Sequence, residues 1–184
     1  MFPLGHAALA YLVYVAVAPV AGWRLPARSA LPALALGSQL PDLIDKPLAF
    51  VGVLDSGRSL GHSVFAAGIL VAVAVWLGRR ALSHGGIGTW RRRLATAGPG
   101  AFAVGYASHL AGDAWLPLVT GAVSELRFLV WPLLPAREFA LDDVSPVTRL
   151  LRLYADPASH PDLEVIALAA AVFVLVRLRH RLSG

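Results

Sequence analysis

The chain contains no cysteine. Disulfides and thiolate metal sites are thereby excluded, and any metal must be held by nitrogen and oxygen ligands. The chain is also poor in charge: 15% of its 184 residues are Asp, Glu, Lys or Arg, against a hydrophobic share of 57% and a mean hydropathy of +0.66. A soluble domain carries roughly 25% charged residues, so the deficit points to an integral membrane protein. About five spans of ~20 residues with short connections would use up the length and leave no room for a separate soluble domain of ~100 residues. Neither an internal repeat nor a low-complexity tract is visible. No basic stripe interleaved with aromatics is present either. The formal charge of +5 and pI of about 10.4 therefore read as membrane-topology signals, and no nucleic-acid partner is expected. The expected fold is all-α: a polytopic membrane helical bundle in one domain, residues 1–184, with about five spans and some short or re-entrant segments.

The first apolar run, Leu4 to Val20, lacks the basic n-region of a signal peptide and reads as a retained helix with His6 at its mouth. Arg24 and Arg28 follow. Ser29 to Leu40 looks too short to span alone, and it delivers a polar segment in which Asp42 and Asp45 stand three residues apart between Pro41 and Pro47, prolines that read as a break. Leu48 to Leu54 reads as a short, re-entrant continuation. After a polar loop containing Arg58, His62 stands at the entrance to the run Val64 to Leu77, which ends in Arg79 and Arg80. A Gly-rich loop containing His84 leads to Arg91, Arg92 and Arg93, and then to the run Ala95 to Val119. Near the far end of that run His109 and Asp113 are four residues apart, which on a helix puts an imidazole and a carboxylate on one face, one turn apart. The stretch from Gly121 to Pro161 is mixed. Arg137, Glu138, Asp142 and Asp143 read as solvated loop groups, with Arg137 also a candidate for the edge of the site, Val147 to Tyr154 as an amphipathic helix, and His160 and His180 as residues without a site role. The last run, Leu163 to Leu178, is closed by Arg177, Arg179 and Arg181.

The arginines test whether the polar groups meet. With the 79–93 loop placed in the cytoplasm, as the positive-inside rule prefers, Arg24, Arg28 and the 177–181 tail also fall inside and the N-terminus falls outside. The same threading puts His6, Asp42, Asp45, His62, His109 and Asp113 together at the outer, extracytoplasmic side. Those arginines are not themselves the ligands, so this agreement is independent of the motifs.

An ionisable group at membrane depth costs ~2.5–3.5 kcal/mol on the insertion scale, and several together call for mutual compensation. A divalent cation supplies it. Histidines combined with a few carboxylates suit zinc best, with manganese or iron as alternatives, and offer too few hard oxygens for calcium. His109, Asp113, His62 and Asp42 are the first candidates as ligands. Asp45 and His6 are either further ligands or act as general base and orienting groups. Arg58 is a candidate for gripping a phosphate, or for a lipid headgroup contact. A metal-activated water would then hydrolyse a phosphoester or similar bond of an amphiphilic substrate presented by the membrane lipids.

In order, the motifs GHAALA, LPDLID, GRSLGHS and GYASHLAGD resemble those of the YdjM-like family of membrane-bound proteins classed as metal-dependent hydrolases, also labelled LexA-binding inner-membrane proteins. The likeness covers roughly the first two thirds of the chain and includes Trp131-Pro132. It implies an inner-membrane location and one or two metal ions. His6 corresponds to the family's Gly-His, Asp42 to the first Asp of its Pro-Asp-x-Asp-His segment, Arg58 and His62 to the Arg and last His of its third motif, and His109 with Asp113 to its His-x-x-x-Asp helix. Asp45 comes one residue late, Lys46 stands where the family has His, and Gly57 and Gly61 replace a His and a Thr. Two other function classes compete with a hydrolase. A proton or metal transporter would place polar groups along a path through the bilayer, and a membrane scaffold or partner-binding protein would need no convergent ligands. For His109 with Asp113, a simple hydrogen bond to a neighbouring helix is the competing structural reading.

Overall fold

The computed structural model describes residues 1–23, 25, 28–83, 86, 88–139, 142, 144–156 and 162–182. Arg24, His84, Asp143 and His160 lie outside the described residues. All regular elements among the described residues are helical: α1 (Pro3–Val20), α2 (Leu31–Phe50), α3 (Val64–Ser83), α4 (Thr89–Thr120), a 3-10 segment (Val123–Val130), α5 (Pro146–Ala155) and α6 (Leu163–Leu182).

Two of these helices, α1 and α3, are long and apolar enough to cross a membrane. The others of comparable length carry charge: α2 holds Asp42, Asp45 and Lys46, α4 begins with three arginines, and α6 has Glu164 at one end and three arginines at the other. In α3 the sole buried residue is Gly78, while Ile69, Val73, Trp76 and Leu77 are exposed. A helix whose apolar residues are left mostly uncovered by protein is expected where lipid is the solvent.

The prolines of α2 do not break it. Pro41 and Pro47 lie inside one continuous helix of 20 residues, so the delivering piece from Leu31 on, the expected break and the start of the expected continuation, Leu48 to Phe50, are a single element, and residues 51–54 follow the helix end. Each proline costs one i→i−4 hydrogen bond, and packing on α4 compensates. That contact is a seam of small residues: a Cβ on Gly37 would strike the carbonyl of Phe102, and one on Gly105 would strike the carbonyl of Leu34 and stand 2.9 Å from the amide of Ser38. Such backbone-to-backbone approach is how helices pack where the hydrophobic effect is weak.

The helices alternate in direction. Along α4, α1 runs the opposite way, with Met1 beside Gly112 and Trp23 beside Gly100. The direction of α2 is that of α4, Ala33 lying near Gly98 and Ser38 near His109. Antiparallel α3 sets Gly78 against Ala95 and His62 against His109. Parallel to α1, α6 packs with Asp162 at Phe2 and Phe173 at Tyr11. The core between these helices is rich in alanine and tyrosine, including Ala8, Ala10, Tyr11, Tyr14 and Ala101, with Phe102, Tyr106 and Leu110 forming a second cluster. One consequence governs the site: α1, α3 and α6 start, and α2 and α4 finish, at the same end of the bundle.

Candidate metal centre

Four side chains converge at that end. Asp42 from α2, His62 from the turn before α3, and His109 and Asp113 from α4 each offer a ligand atom, all within 4.8 Å of one another, and all four residues are buried. The closest pair is His62 Nε2 and His109 Nε2, at 3.1 Å. From His62 Nε2, Asp113 Oδ2 is at 3.4 Å and Asp42 Oδ1 at 3.5 Å. From His109 Nε2 the same oxygens are at 3.9 and 3.8 Å. Two ligands at ~2.0–2.1 Å from a tetrahedral ion stand ~3.3 Å apart, so these separations bracket the edge of such a tetrahedron.

The outer nitrogens of both rings are already committed. His62 Nδ1 lies 2.8 Å from Asp45 Oδ2, and His109 Nδ1 lies 2.7 Å from the carbonyl oxygen of Ser38. Both partners accept, so each Nδ1 carries the proton and each Nε2 presents a lone pair inward, the arrangement that metal-binding histidines use. Two lone pairs facing each other at 3.1 Å repel unless a cation or a proton sits between them. Burial works against charging His62, but the carboxylates of Asp113, Asp42 and Asp45 outweigh it and raise the pKa of the ring to about 10. Protein without a metal therefore holds a proton where an ion would bind. The orphaned atoms agree: Asp42 Oδ1 and both ring nitrogens of His6 are buried without a hydrogen-bond partner. Such groups are costly unless something unshown by protein contacts alone satisfies them. The residues present fit a divalent transition metal.

Asp45 stands outside the group of four. Its carboxylate receives the backbone N–H groups of Ser59 at 2.7 Å, Gly61 at 2.6 Å and His62 at 3.2 Å, besides the His62 ring. It is fully buried, and it folds the 59–62 turn around His62. Tyr106 secures the same turn from α4 by donating its hydroxyl to the carbonyl of Gly61. His6 is also fully buried; its ring stacks on His109 at 3.7 Å between centroids, with Nε2 3.4 Å from Asp113 Oδ1. On the opposite flank Phe128, from the 3-10 segment, meets His62 edge-on at 5.8 Å. These rings close the inner side of the site.

The outer side is cationic. Arg58 places Nε 3.0 Å from Asp113 Oδ2, its side chain is 29% exposed, and its guanidinium lies over the Phe139 ring at 5.3 Å. Lys46 binds Asp42 Oδ2 at 2.5 Å and leaves Oδ1 to face the histidines. Beside the site a cleft of about 320 Å³ runs between the 53–59 loop and the 131–136 segment. Val53, Leu54, Trp131 and Pro132 line its apolar part, and Asp55, Ser56 and Ser59 its polar part.

All six residues singled out from sequence as metal ligands thus lie at one end of the bundle, with Arg58 on the rim. Four form the group, His6 stacks on it, and Asp45 supports it. Sequence reasoning missed the partners of these residues. The Asp42–Lys46 pair has i, i+4 spacing and was readable from that. The Ser38 carbonyl, the amides of Ser59 and Gly61, and the Gly61 carbonyl that receives the Tyr106 hydroxyl carry no sequence signal, because backbone groups become partners only through packing. Arg137 pairs with Glu125 at 2.6 Å and takes no part in the site.

No curated protein and no solved structure shows a significant match to the chain. The profile described as YdjM inner membrane protein matches residues 1–181, including α6, which lies beyond the two thirds where the motifs sit. With this coverage, and with the His-x-x-x-Asp pair of α4, Asp42 of α2 and His62 meeting at one buried cluster on which His6 of α1 stacks, the chain belongs to the YdjM inner membrane protein family.

Proposed function

We propose that this protein is a membrane-embedded metal-dependent hydrolase acting on a phosphoester or similar bond of an amphiphilic, lipid-like substrate at the outer face of the inner membrane. The observation that carries this reading is the pair of histidines whose Nδ1 atoms are each tied to an acceptor while their Nε2 atoms converge with Asp42 and Asp113. Asp42, His62, His109 and Asp113 would hold the ion. Zinc suits this donor set best, with manganese and iron as alternatives. Such an ion acidifies a bound water towards neutral pH and polarises the oxygen of the bond to be broken.

The chain's own groups supply the rest. Asp45, saturated by four donors, orients His62 rather than ligating the metal or acting as base. His6, its ring against His109, Nδ1 without a hydrogen-bond partner and Nε2 3.4 Å from Asp113 Oδ1, is placed to take a proton. Arg58 uses Nε on Asp113, and its terminal amino groups have no other partner among the described residues, which suits them to a substrate phosphate. The mixed walls of the neighbouring cleft suit a molecule with a polar head and an apolar body.

Charge supports the placement. Every described Asp and Glu lies at the site end or within the helical turns leading to it, whereas Arg28, Arg79, Arg80, Arg91 to Arg93 and Arg177 to Arg181 lie at the other end. Under the positive-inside rule the arginine end is cytoplasmic and the site extracytoplasmic. With α2, α4 and α6 also crossing, five spans result, their 20 to 32 residues being long enough at ~1.5 Å each. Polar groups gathered at one end do not line a transport path.

Metal analysis of detergent-purified protein tests the reading. About one transition-metal ion per chain is expected, with loss of that ion in His109→Ala and Asp113→Ala at unchanged helix content. Protein that holds no transition metal and takes none up on titration overturns it.

A further inference from the structure

The amphipathic helix α5 takes no part in the site, and its apolar side is bare. Val147, Leu150, Leu151 and Tyr154, at i, i+3, i+4 and i+7, form one stripe and are 67%, 43%, 68% and 43% exposed. Ten residues span ~15 Å, half of what crossing needs, and an isolated helix of that length is marginal in water. Some surface must therefore cover the stripe.

We infer that α5 lies in the plane of the membrane interface, its apolar stripe in the lipid and Arg152 at the headgroups, and so holds the rim of the site at headgroup level. Depth selects the bilayer over a protein partner. Both helices apolar enough to span begin at the site: His6 is in the first turn of α1, and His62 lies two residues before α3. The membrane boundary therefore passes at the level of the site, and α5 is strapped to that level. Ser145 caps it by accepting the Thr148 N–H at 3.1 Å. Arg149 reaches Asp142 Oδ1 at 3.2 Å and the carbonyl of Val144 at 3.1 Å. Asp142 in turn lies so close to Gly57 that a Cβ there would be 2.6 Å from Oδ1. The next residue, Arg58, stacks on Phe139 and pairs with Asp113. A chain of contacts thus runs from α5 to a candidate ligand. Exposed Arg152 suits anionic headgroups, as in helices that lie on membranes.

Apolar residues on the loops at the site end are bare as well. Val53, 66% exposed, lines the cleft beside the site, and Leu133, 72% exposed, belongs to the segment that forms its other wall. The inference rests on the membrane placement of the proposed function but not on the metal.

The absence of native cysteine makes the test direct. Single variants Val147→Cys, Thr148→Cys, Leu151→Cys and Arg152→Cys, labelled with a small fluorophore, are placed in vesicles of phosphatidylethanolamine and phosphatidylglycerol. Nitroxide carried near the top of the lipid chains is expected to quench positions 147 and 151 at least about twofold more than 148 and 152, with aqueous iodide giving the reverse order. Iodide quenching equal at all four positions overturns the inference, as does self-quenching or cross-linking at 151 that reports a second copy of the chain over the stripe. Metal content measured on the same variants separates the two proposals: loss of metal with the quenching pattern intact counts against the hydrolase alone.

Discussion

At the scale of single residues the site is defined by who accepts from whom. His62 and His109 are fixed by acceptors of different kind, a carboxylate and a backbone carbonyl. Only the first can be altered by substitution. Asp45→Asn keeps the shape and removes the charge, so it is expected to weaken metal binding by about 10- to 100-fold while leaving the four ligands in place. Competition titration with a chelating dye measures this; unchanged affinity would remove Asp45 from its orienting role. The proton on His62 gives a second expectation. Its pKa is raised to about 10, so at neutral pH the ring is charged in metal-free protein and metal must displace that proton. Apparent affinity should rise with pH, by about tenfold per unit below that value, and fall on acidification. Calorimetry in buffers of different ionisation enthalpy should show about one proton released per ion bound at pH 7.

At the scale of helices, the α2–α4 seam decides whether the ligands meet. Gly37 and Gly105 let the two backbones touch, which brings the Ser38 carbonyl to His109 and Asp42 to the same level as Asp113. A side chain at Gly105 must push α2 away. Gly105→Leu is expected to destabilise the fold by about 1–3 kcal/mol through overpacking and to lower metal occupancy even though no ligand is changed. A thermal melt in detergent and metal analysis of the same sample check both parts; full occupancy with a normal melt would mean that the seam does not position the site. The prolines of α2 teach the complementary point. Local reasoning places breaks at Pro41 and Pro47, and packing against α4 carries the helix through both.

At the scale of the whole molecule the charge distribution is the basis of the proposed orientation. The described acidic residues and the site share one end, and arginines without described acidic neighbours in sequence hold the other. With Asp55→Cys at the site end and Thr89→Cys at the arginine end, both exposed, a membrane-impermeant maleimide applied to intact cells whose outer membrane has been made permeable should label the first and spare the second. The opposite pattern would place the site in the cytoplasm and overturn the proposed orientation.

Much of this was written in the sequence. The scarcity of charge and the apolar runs point to an all-helical chain, because a segment of ~20 apolar residues in lipid has to satisfy its backbone internally. Spacing determined that His109 and Asp113 share a face, since the helical repeat is a local property. The arginine blocks made it legible that His6, Asp42, His62 and Asp113 lie at one end. What only the tertiary structure decided was the division of labour there: that Asp45 supports while Asp42 faces inward, that Lys46 occupies one oxygen of Asp42 and leaves the other, and that Ser38 fixes His109. Those roles depend on distances of 2.5 to 3.5 Å between residues up to 71 positions apart in the chain. Such distances are set by how closely glycines let helices approach and by which backbone groups a turn turns inward, neither of which a local pattern of residue types encodes.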